Sequence, residues 1–409
     1  MSLLSYTEAR PWAKSIKAAV ASKKMPPWFV DPSLDGHFTT QNTLTDTEIA
    51  TITSWVDAGA PEGNAKDKPA ARTFVDGWNI RPDVVVKMPK AFNLPAKGTI
   101  EYKNILVKTN FPEDMWVVAA ENRPGNPKVV HHEKVWVRPP GSKWMAKAVP
   151  GEAYDRKNNP DVMGRQTVEA QEDETDILGK FNPGLGAQDF SIDGAAKFVP
   201  KGSDLVFEVH YTADGQPETY ISEIGLTLSK TPPESRRYYF TSGPSAGNLV
   251  IPANDGNAEV VAEATIGLDN VKLVNMQPHM HLRGKDMEVR AIYPTGEMQT
   301  LLKTRFDFNW QEGYTFKQPM QLPKGTRVIS ILHYDNSVNN PYNPDPAQEV
   351  HWGEQNWEEM GNLFVGVTIN KNDDPEKIFH KSGPSLLKPA VGVGGPHMSQ
   401  LNLPTTGTH

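Results

Sequence analysis

The sequence contains no cysteine in its 409 residues. That absence excludes disulfide bonds, cysteine-ligated zinc, blue-copper sites, covalently attached c-type haem and thiol catalysis. The sequence also lacks a continuous apolar run of about 18 residues, so no membrane span is expected. Its opening residues lack the charged and apolar pattern of an export signal, and no signal peptide is expected in this sequence.

A surplus of positive charge is missing as well. Lysine and arginine number 42, and aspartate and glutamate number 49, which gives a net charge of −7. Without a basic field to hold a phosphate backbone, no nucleic-acid partner is expected. Proline is abundant, at 35 residues, and predicts many loops and strand ends because helix interiors tolerate it poorly. The eleven histidines are then the main candidates for chemistry.

The N-terminal part of the chain shows two helical patterns. Thr7 is a candidate N-cap for a first helix, and Thr45 with Glu48 forms a capping box that opens a second one. Two short helices bury too little surface for an independent domain, so residues 1–60 are interpreted as part of a larger unit. Residues 61–72 are polar and are interpreted as a linker.

From about residue 73 the pattern changes to short alternating apolar runs between turn residues, which predicts antiparallel β-sandwiches. One segment is repeated: residues 200–211 and 323–334 share a Pro-Lys-Gly start and a His-Tyr end. The duplication predicts two tandem, jelly-roll-like sandwich domains preceded by the short helical segment. The expected boundaries are 73–231 and 232–386 for the sandwiches and 387–409 for a flexible tail.

Five histidines stand in patterns that suit a metal ion. On a strand, residues i and i+2 point to the same face, so His279 and His281 can bind one ion together. His131 and His132 are neighbours and can reach one ion only at a strand end or a bulge. His210 lies in an apolar alternating run, where either a ligand role or a hydrogen bond to the backbone would offset the cost of burying an imidazole.

These histidines form two possible ligand sets. His131, His132 and His210 make a three-nitrogen set, called the first set below; His279 and His281 make a second set that needs a third ligand. Neutral imidazole suits copper, zinc, iron or nickel, and with no cysteine and no obvious carboxylate, zinc and copper are the candidates. Zinc-protease chemistry is not expected, because no second histidine follows His132 at the required helical spacing.

Four motifs together resemble a known family. They are the His131–His132 pair with Glu133, the strand around His210, the run 279–285 (His-Met-His-Leu-Arg-Gly-Lys) and the run 358–363 (Glu-Glu-Met-Gly-Asn-Leu). Over about residues 80–370 the chain resembles the copper type II, ascorbate-dependent monooxygenases, which include peptidylglycine α-hydroxylating monooxygenase and dopamine β-monooxygenase. The order of the motifs across the duplication carries the resemblance.

The resemblance implies two separate copper ions. The first set would hold the copper that supplies electrons. His279, His281 and Met360 would form the catalytic site, where O2 and a small-molecule or peptide-like substrate meet, and the soft thioether would favour Cu(I). The implied activity is hydroxylation of a C–H bond with ascorbate or a similar electron donor, the two coppers facing each other across a solvent-filled cleft. The implied location is periplasmic or extracellular.

Three positions of the family's substrate site differ in this chain. In the amidating enzyme an arginine, an asparagine and a tyrosine grip a peptide carboxylate, and the matching positions here are Gln277, Asn362 and Phe364. Without the arginine the bidentate clamp is lost, and Phe364 has no hydroxyl to donate. A peptide ending in glycine is therefore not the expected substrate, although these three residues stay the candidate substrate contacts.

The N-terminal segment resembles the back half of a c-type cytochrome domain, which bacterial members of this group join to the copper fold. Haem c is expected only in a longer form that carries the missing Cys-x-x-Cys-His motif, where Met25 would be a plausible axial ligand and haem would deliver electrons in place of ascorbate. The expectation is that this sequence starts downstream of a leader and a haem-binding half.

Two other functional classes stay open at this point. One is a copper-binding electron-transfer protein without hydroxylase activity, and the other is a non-catalytic double β-sandwich that acts as a binding module. Oxygen uptake that depends on both reductant and substrate distinguishes the enzyme from these alternatives.

Overall fold

The computed structural model describes residues 3–68, 70, 77–98, 100–163, 176–182, 185–240, 245–353 and 355–381. They form a mainly β protein of several antiparallel sheets preceded by a short helical segment, which confirms the predicted fold class. The α-helices are α1 (Tyr6–Ala9), α2 (Ala13–Ala21), α3 (Asp46–Asp57) and α4 (Pro160–Met163). The strands are β1 (Val84–Lys87), β2 (Phe92–Leu94), β3 (Lys103–Val107), β4 (Met115–Pro124), β5 (Val130–Arg138), β6 (Ala153–Tyr154), β7 (Ile177–Phe181), β8 (Gln188–Asp189), β9 (Ala195–Val199), β10 (Asp204–Tyr211), β11 (Glu218–Tyr220), β12 (Ser222–Leu228), β13 (Ser235–Phe240), β14 (Val250–Ile251), β15 (Ala258–Ile266), β16 (Val271–His279), β17 (Gly284–Ile292), β18 (Met298–Arg305), β19 (Tyr314–Leu322), β20 (Arg327–Tyr334), β21 (Val350–His351), β22 (Asn362–Asn370) and β23 (Phe379–Lys381).

Two of the N-terminal helices, α1 and α3, begin at side-chain caps. The predicted capping box is present at α3, where the hydroxyl of Thr45 accepts from the backbone N–H of Glu48 and the carboxylate of Glu48 accepts from the N–H of Thr45. The prediction of Thr7 as the cap of the first helix is wrong. Ser5 has an extended backbone and accepts from the N–H of Glu8, whereas Thr7 already lies inside the first turn. None of the described helices is long and apolar enough to span a membrane.

One nine-stranded sheet runs through both halves of the β region. Its order is β1-β12-β4-β9-β13-β22-β16-β19, with β8 beside β4. The two halves join where β9 and β13 pair in parallel, at Ala195 and Ser235. The expected domain boundary at 231–232 lies just before β13 and stays a prediction, since strand pairing continues from one half to the other. The predicted tail, 387–409, and part of the predicted linker lie outside the described residues.

Each half adds a five-stranded sheet, and an apolar core fills the space between that sheet and the nine-stranded one. The first sheet has the order β6-β3-β10-β5-β7, and its Val135 and Phe207 pack with Val117 of β4. The second has the order β18-β17-β20-β15-β23, and its Leu332 packs with Val367 of β22. The repeated segments form β10 and β20, the third strand of each sheet, so the sequence duplication corresponds to equivalent positions in the structure.

Strand alternation decides which side chains leave the core. Leu205, Phe207 and Val209 of β10 point into the first core. Glu208 and His210 therefore lie on the opposite face of the same sheet, because side chains alternate with a period of two. That face is turned towards the second half of the molecule, where Glu208 lines a cavity between the two halves.

The N-terminal segment packs on the second half. Val30 and Phe38 form isolated β-bridges with Thr304 and Phe316, and both are buried in the second core. This docking buries apolar side chains of the segment in the core of the second half.

Candidate metal centres

The first set meets at a bulge between β5 and β10. His132 pairs with His210 in register, but the next partner of Tyr211 is Val130, so His131 is an extra residue on β5. This is one of the two geometries that the sequence allowed for neighbouring histidines, since the bulge turns both rings to one side. One ligand nitrogen from each ring of the set lies within 4.8 Å of the others, so the described residues contain a group that could hold one metal ion.

The nitrogens of the first set are arranged as metal ligands require. Nδ1 of His131 lies 3.4 Å from Nδ1 of His210. Nδ1 of His132 is buried without a hydrogen-bond partner among the described residues, while its Nε2 lies 3.1 Å from the hydroxyl of Tyr102. Tyr102 also stacks on His210, with ring centroids 4.2 Å apart. An unpartnered buried nitrogen is costly, and a metal bound through Nδ1 would satisfy it.

Burial keeps the first set neutral. Burial lowers the pKa of His131, and it lowers the pKa of His132 well below the usual value. It lowers the pKa of His210 to about 3, helped by the charges of His131 and His281. Metal ions bind deprotonated imidazole, so these rings are ready to bind a metal at neutral pH without first losing a proton.

The second pair of histidines lies at the end of β16. His279 is the last residue of the strand, and His281 lies two residues further on, outside it. The two rings are nevertheless adjacent and perpendicular, with centroids 5.3 Å apart. The side-chain oxygen of Gln311 accepts from Nδ1 of His279 at 2.5 Å, and the carbonyl of Glu358 faces Nδ1 of His281 at 3.3 Å. In these tautomers Nε2 of each ring carries the lone pair that a metal would use.

Met360 lies beside this pair. It precedes β22, whose first residue Asn362 pairs in register with His279, and Met360 and His279 line the same cavity. Nδ2 of Asn362 donates to the sulfur of Met360 at 3.4 Å. Burial lowers the pKa of His279 to about 3 and that of His281 to about 4. The structure thus places the neutral imidazole of His279 and the thioether of Met360 on one cavity, with the ring of His281 next to that of His279.

A fully buried carboxyl group supports each set. Glu359 accepts from the backbone N–H groups of His281 and Arg283 at 2.8 and 2.6 Å, and burial raises its pKa to about 8. Glu133 accepts from Tyr220, from Ser222 at 2.9 Å and from Asn122, and burial raises its pKa to about 7. Both carboxyls tie ligand-bearing segments to the fold, and sequence reasoning had given neither of them a role.

The two sets face each other at short range. The ring of Phe308 neighbours His131 and His281, with centroid distances of 5.9 and 6.5 Å. The resemblance implied a solvent-filled cleft between the sets; in the structure an aromatic ring contacts both sides of the gap.

A cavity of about 410 Å³ has His279 of the second pair and His132 of the first set in its lining. Its lining includes the three candidate substrate residues, Gln277, Asn362 and Phe364, together with Lys180 of β7. Nε2 of Gln277 donates to the carbonyl of Gln311 at 2.7 Å, and Lys180 donates to the side-chain oxygen of Gln277. Burial and nearby cations, Lys134 first among them, lower the pKa of Lys180 to about 7.

Several residues of the site carried no recognisable signal in the sequence. Tyr102, Lys180 and the loop that holds both Phe308 and Gln311 are three separate segments, and only folding brings them to the histidines. His333, the duplicate of His210, is not part of either set: it binds Asp286 through Nδ1 at 2.6 Å, which raises its pKa.

Replacing Gln311 with alanine is expected to weaken metal binding at the second pair by roughly 10–100-fold, the usual cost of removing a group that orients a histidine ligand. Nδ1 of His279 would lose its acceptor, and the ring its fixed orientation. Competition titrations with a copper chelator measure the affinity. Gln321→Ala, on β19, is the matched control; equal affinities in both variants would contradict the assigned role of Gln311.

Replacing Lys180 with methionine is expected to raise the free energy of unfolding at pH 7 by on the order of 1 kcal/mol. The pKa of Lys180 falls from 10.5 to about 7 on folding, so between these values the unfolded chain binds more protons and wild-type stability rises with pH. The variant should show a flatter profile over that window. Urea denaturation at several pH values measures both effects, and an unchanged slope would contradict them; Lys324→Met, at an exposed turn, is the control.

Comparison with known proteins gives no family. No family model and no curated protein matches the sequence. Among solved structures, the chain is similar to the major capsid protein P2 from bacteriophage PM2 (9% identity, TM-score 0.29, 71% of this chain and 99% of that chain). It is also similar to the infectious bursal disease virus VP2 subviral particle (9%, 0.22, 75% and 76%) and to allantoicase from Saccharomyces cerevisiae (9%, 0.20, 68% and 80%). These TM-scores are too low to carry an argument about function.

The fold and the site define the chain as a mainly β protein with a three-histidine group that could hold one metal ion. With no cysteine in the sequence, haem c has no attachment point in it.

Proposed function

We propose that this protein is a copper-dependent monooxygenase that hydroxylates a C–H bond with O2 and a one-electron donor, using two separate mononuclear coppers. The observation that carries the proposal is the pairing of two unlike donor sets at close range: three imidazoles on the first half, and two imidazoles beside a thioether on the second. Each set would hold one copper.

The donor chemistry favours copper over zinc. Structural and catalytic zinc sites use cysteine, histidine and carboxylate ligands, and a thioether is not among them. Sulfur of the Met360 type is a soft ligand that selects Cu(I). Copper, when bound, would supply the one-electron chemistry and the activation of O2 that hydroxylation needs.

The protein's own residues would orient the site. Gln311 holds the His279 ring, and Glu359 holds the backbone on both sides of Leu282. The ring of Phe308 lies near one histidine of each set, His131 and His281. Gln277, Asn362 and Phe364 of the cavity wall are the proposed substrate contacts, because they lie on the same strand faces as His279 and next to Met360.

Export to the periplasm or the cell exterior belongs to the same proposal, as does delivery of electrons by haem c in a longer form. In the described structure the N-terminal segment packs on the second half, the half that carries His279 and His281. A donor domain built on that segment would therefore adjoin the second half of the molecule.

The test combines metal analysis with oxygen consumption. Copper-loaded protein should bind two equivalents with EPR spectra of type II copper, and it should consume O2 only when an electron donor and a hydroxylatable compound are both present. Two bound coppers without any substrate-dependent uptake would instead favour an electron-transfer protein. Failure to bind copper would leave a β-sandwich binding module.

A further inference from the structure

Residues 28–39 of the N-terminal segment, called the strap below, pair with two strands at once. The bridge of Val30 with Thr304 ties the strap to β18, and the bridge of Phe38 with Phe316 ties it to β19. β18 is the edge strand of the second five-stranded sheet, and β19 is an edge strand of the nine-stranded sheet. The strap therefore joins the two sheets of the second half along one side.

Two backbone hydrogen bonds flank each bridge, all between 2.8 and 3.1 Å long. The four bonds run from the N–H of Asp31 to the carbonyl of Lys303, from Arg305 to Phe29, from Thr39 to Thr315 and from Lys317 to His37. They lie on the last residues of β18 and on the first residues of β19. The chain between these two strands is the loop of residues 306–313, so the strap holds the strand at each end of that loop.

Aromatic rings of the strap pack against the base of the same loop. Tyr314, the first residue after the loop, lies edge-on to Trp28 with ring centroids 5.5 Å apart, and its ring is 5.6 Å from that of Phe38. Its hydroxyl lies 3.0 Å from Oγ1 of Thr304, two residues before the loop. Tyr314 and Phe38 are buried, so the strap, β18 and β19 meet in one packed aromatic cluster, and such ring pairs stabilise beyond the area they bury.

The loop carries the two residues that reach the histidines. Phe308 neighbours one histidine of each set, and the side-chain oxygen of Gln311 accepts from Nδ1 of His279 at 2.5 Å. A shift of the loop base would move that oxygen relative to the His279 ring. Hydrogen bonds weaken steeply when their angle departs from linearity, so the orientation of the ring depends on where the loop is held.

We propose that the strap positions the second metal site: it holds the base of the loop, the loop holds Gln311, and Gln311 keeps the His279 ring in the orientation that directs Nε2 to the metal. Trp28 is then a positioning residue, which acts through Tyr314 and Gln311. The inference rests on the proposed function in that the ion bound by His279 would be the second copper.

Trp28→Ala in the full-length protein tests this, and Trp28→Phe is the conservative variant. The indole N–H of Trp28 is buried without a partner among the described residues, so phenylalanine keeps a ring against Tyr314 and loses no hydrogen bond. Chelator competition followed by EPR should show the second copper bound about tenfold more weakly in Trp28→Ala, the low end of the cost of losing an orienting group. The first copper should keep its affinity, and Trp28→Phe should restore most of the second.

A double variant gives a readout that a merely structural role would not move. If the strap acts through Gln311, its loss adds nothing once the glutamine is gone, so Trp28→Ala with Gln311→Ala should bind the second copper as weakly as Gln311→Ala alone. Ile378→Ala is the matched control. It removes a buried side chain of the same core beside β23, at the opposite edge of the sheet from β18, and it should leave both copper affinities unchanged.

Hydrogen exchange on the metal-free protein separates this inference from the proposed function. Trp28→Ala should speed amide exchange across residues 306–313 and leave exchange in β5 and β10 unchanged. Full affinity for the second copper in Trp28→Ala, an equal loss in Ile378→Ala, or additive losses in the double variant would overturn the inference. A protein that binds no copper removes the proposed function, and the loop then decides alone: faster exchange supports the hold of the strap on it, and unchanged exchange overturns that as well.

Discussion

His210→Ala is expected to lower bound copper from two equivalents to one and to reduce donor-dependent oxygenation at least about 100-fold, because a lost ligand costs more than a lost orienting partner. His210 is one of only three nitrogens in the first set, and it is 8% exposed. The remaining copper should keep the EPR spectrum of the second site. Metal analysis and EPR on the reloaded protein measure both quantities.

Met360→Ala tests the second proposed copper site in the same way. It should spare the first copper and weaken the second, since only the second set uses the thioether. His333→Ala is the matched control, because His333 stands at the equivalent position of β20 but binds Asp286. Two equivalents of copper in both the His210 and Met360 variants would refute the assignment of two sites.

Glu359→Ala is expected to lower the free energy of unfolding by about 3 kcal/mol, since two buried backbone N–H groups would lose their acceptor at roughly 1–3 kcal/mol each. Those groups belong to His281 and Arg283, on either side of Leu282. The metal-free protein should show the loss in chemical denaturation, and copper binding at the second pair should weaken as well.

Glu359→Gln removes one of the two acceptors. The backbone N–H groups of His281 and Arg283 donate to different oxygens of Glu359, and glutamine keeps one oxygen and places an NH2 group at the other position. The glutamine variant should therefore lose roughly half of the stability that the alanine variant loses. A loss equal to that of the alanine variant would contradict separate contributions of the two acceptor oxygens.

The histidines of the first set show how much of a site's geometry the local sequence pattern can predict. Neighbouring histidines can share an ion only at a strand end or a bulge, and the register shift between β5 and β10 provides the bulge. The rule followed from side-chain alternation alone. The partner strand, β10, decides whether a strand end or a bulge occurs. The residues around His131 do not show which strand will pair with β5.

Other parts of the site were beyond local reasoning. Met360 entered the prediction only through a family resemblance, since a single methionine that binds a metal cannot be told apart in sequence from a methionine of the apolar core. Gln311 and Phe308 sit in a polar loop after β18, and Lys180 looked like an ordinary strand lysine. Their roles come from contacts with residues 32 to 177 positions away in the chain.

By itself, the sequence determined the β-rich class of the fold, the strands that carry His210 and His279 and the absence of any cysteine chemistry, because period-two alternation, turn residues and composition act over a few neighbours. Tertiary structure alone decided that the two halves share one sheet, that their histidine faces are turned to each other around Phe308, and that Lys180 reaches Gln277. The physical reason is that strand order and the packing of one sheet on another depend on pairings between distant segments, and the energy of each pairing is spread over whole faces of side chains.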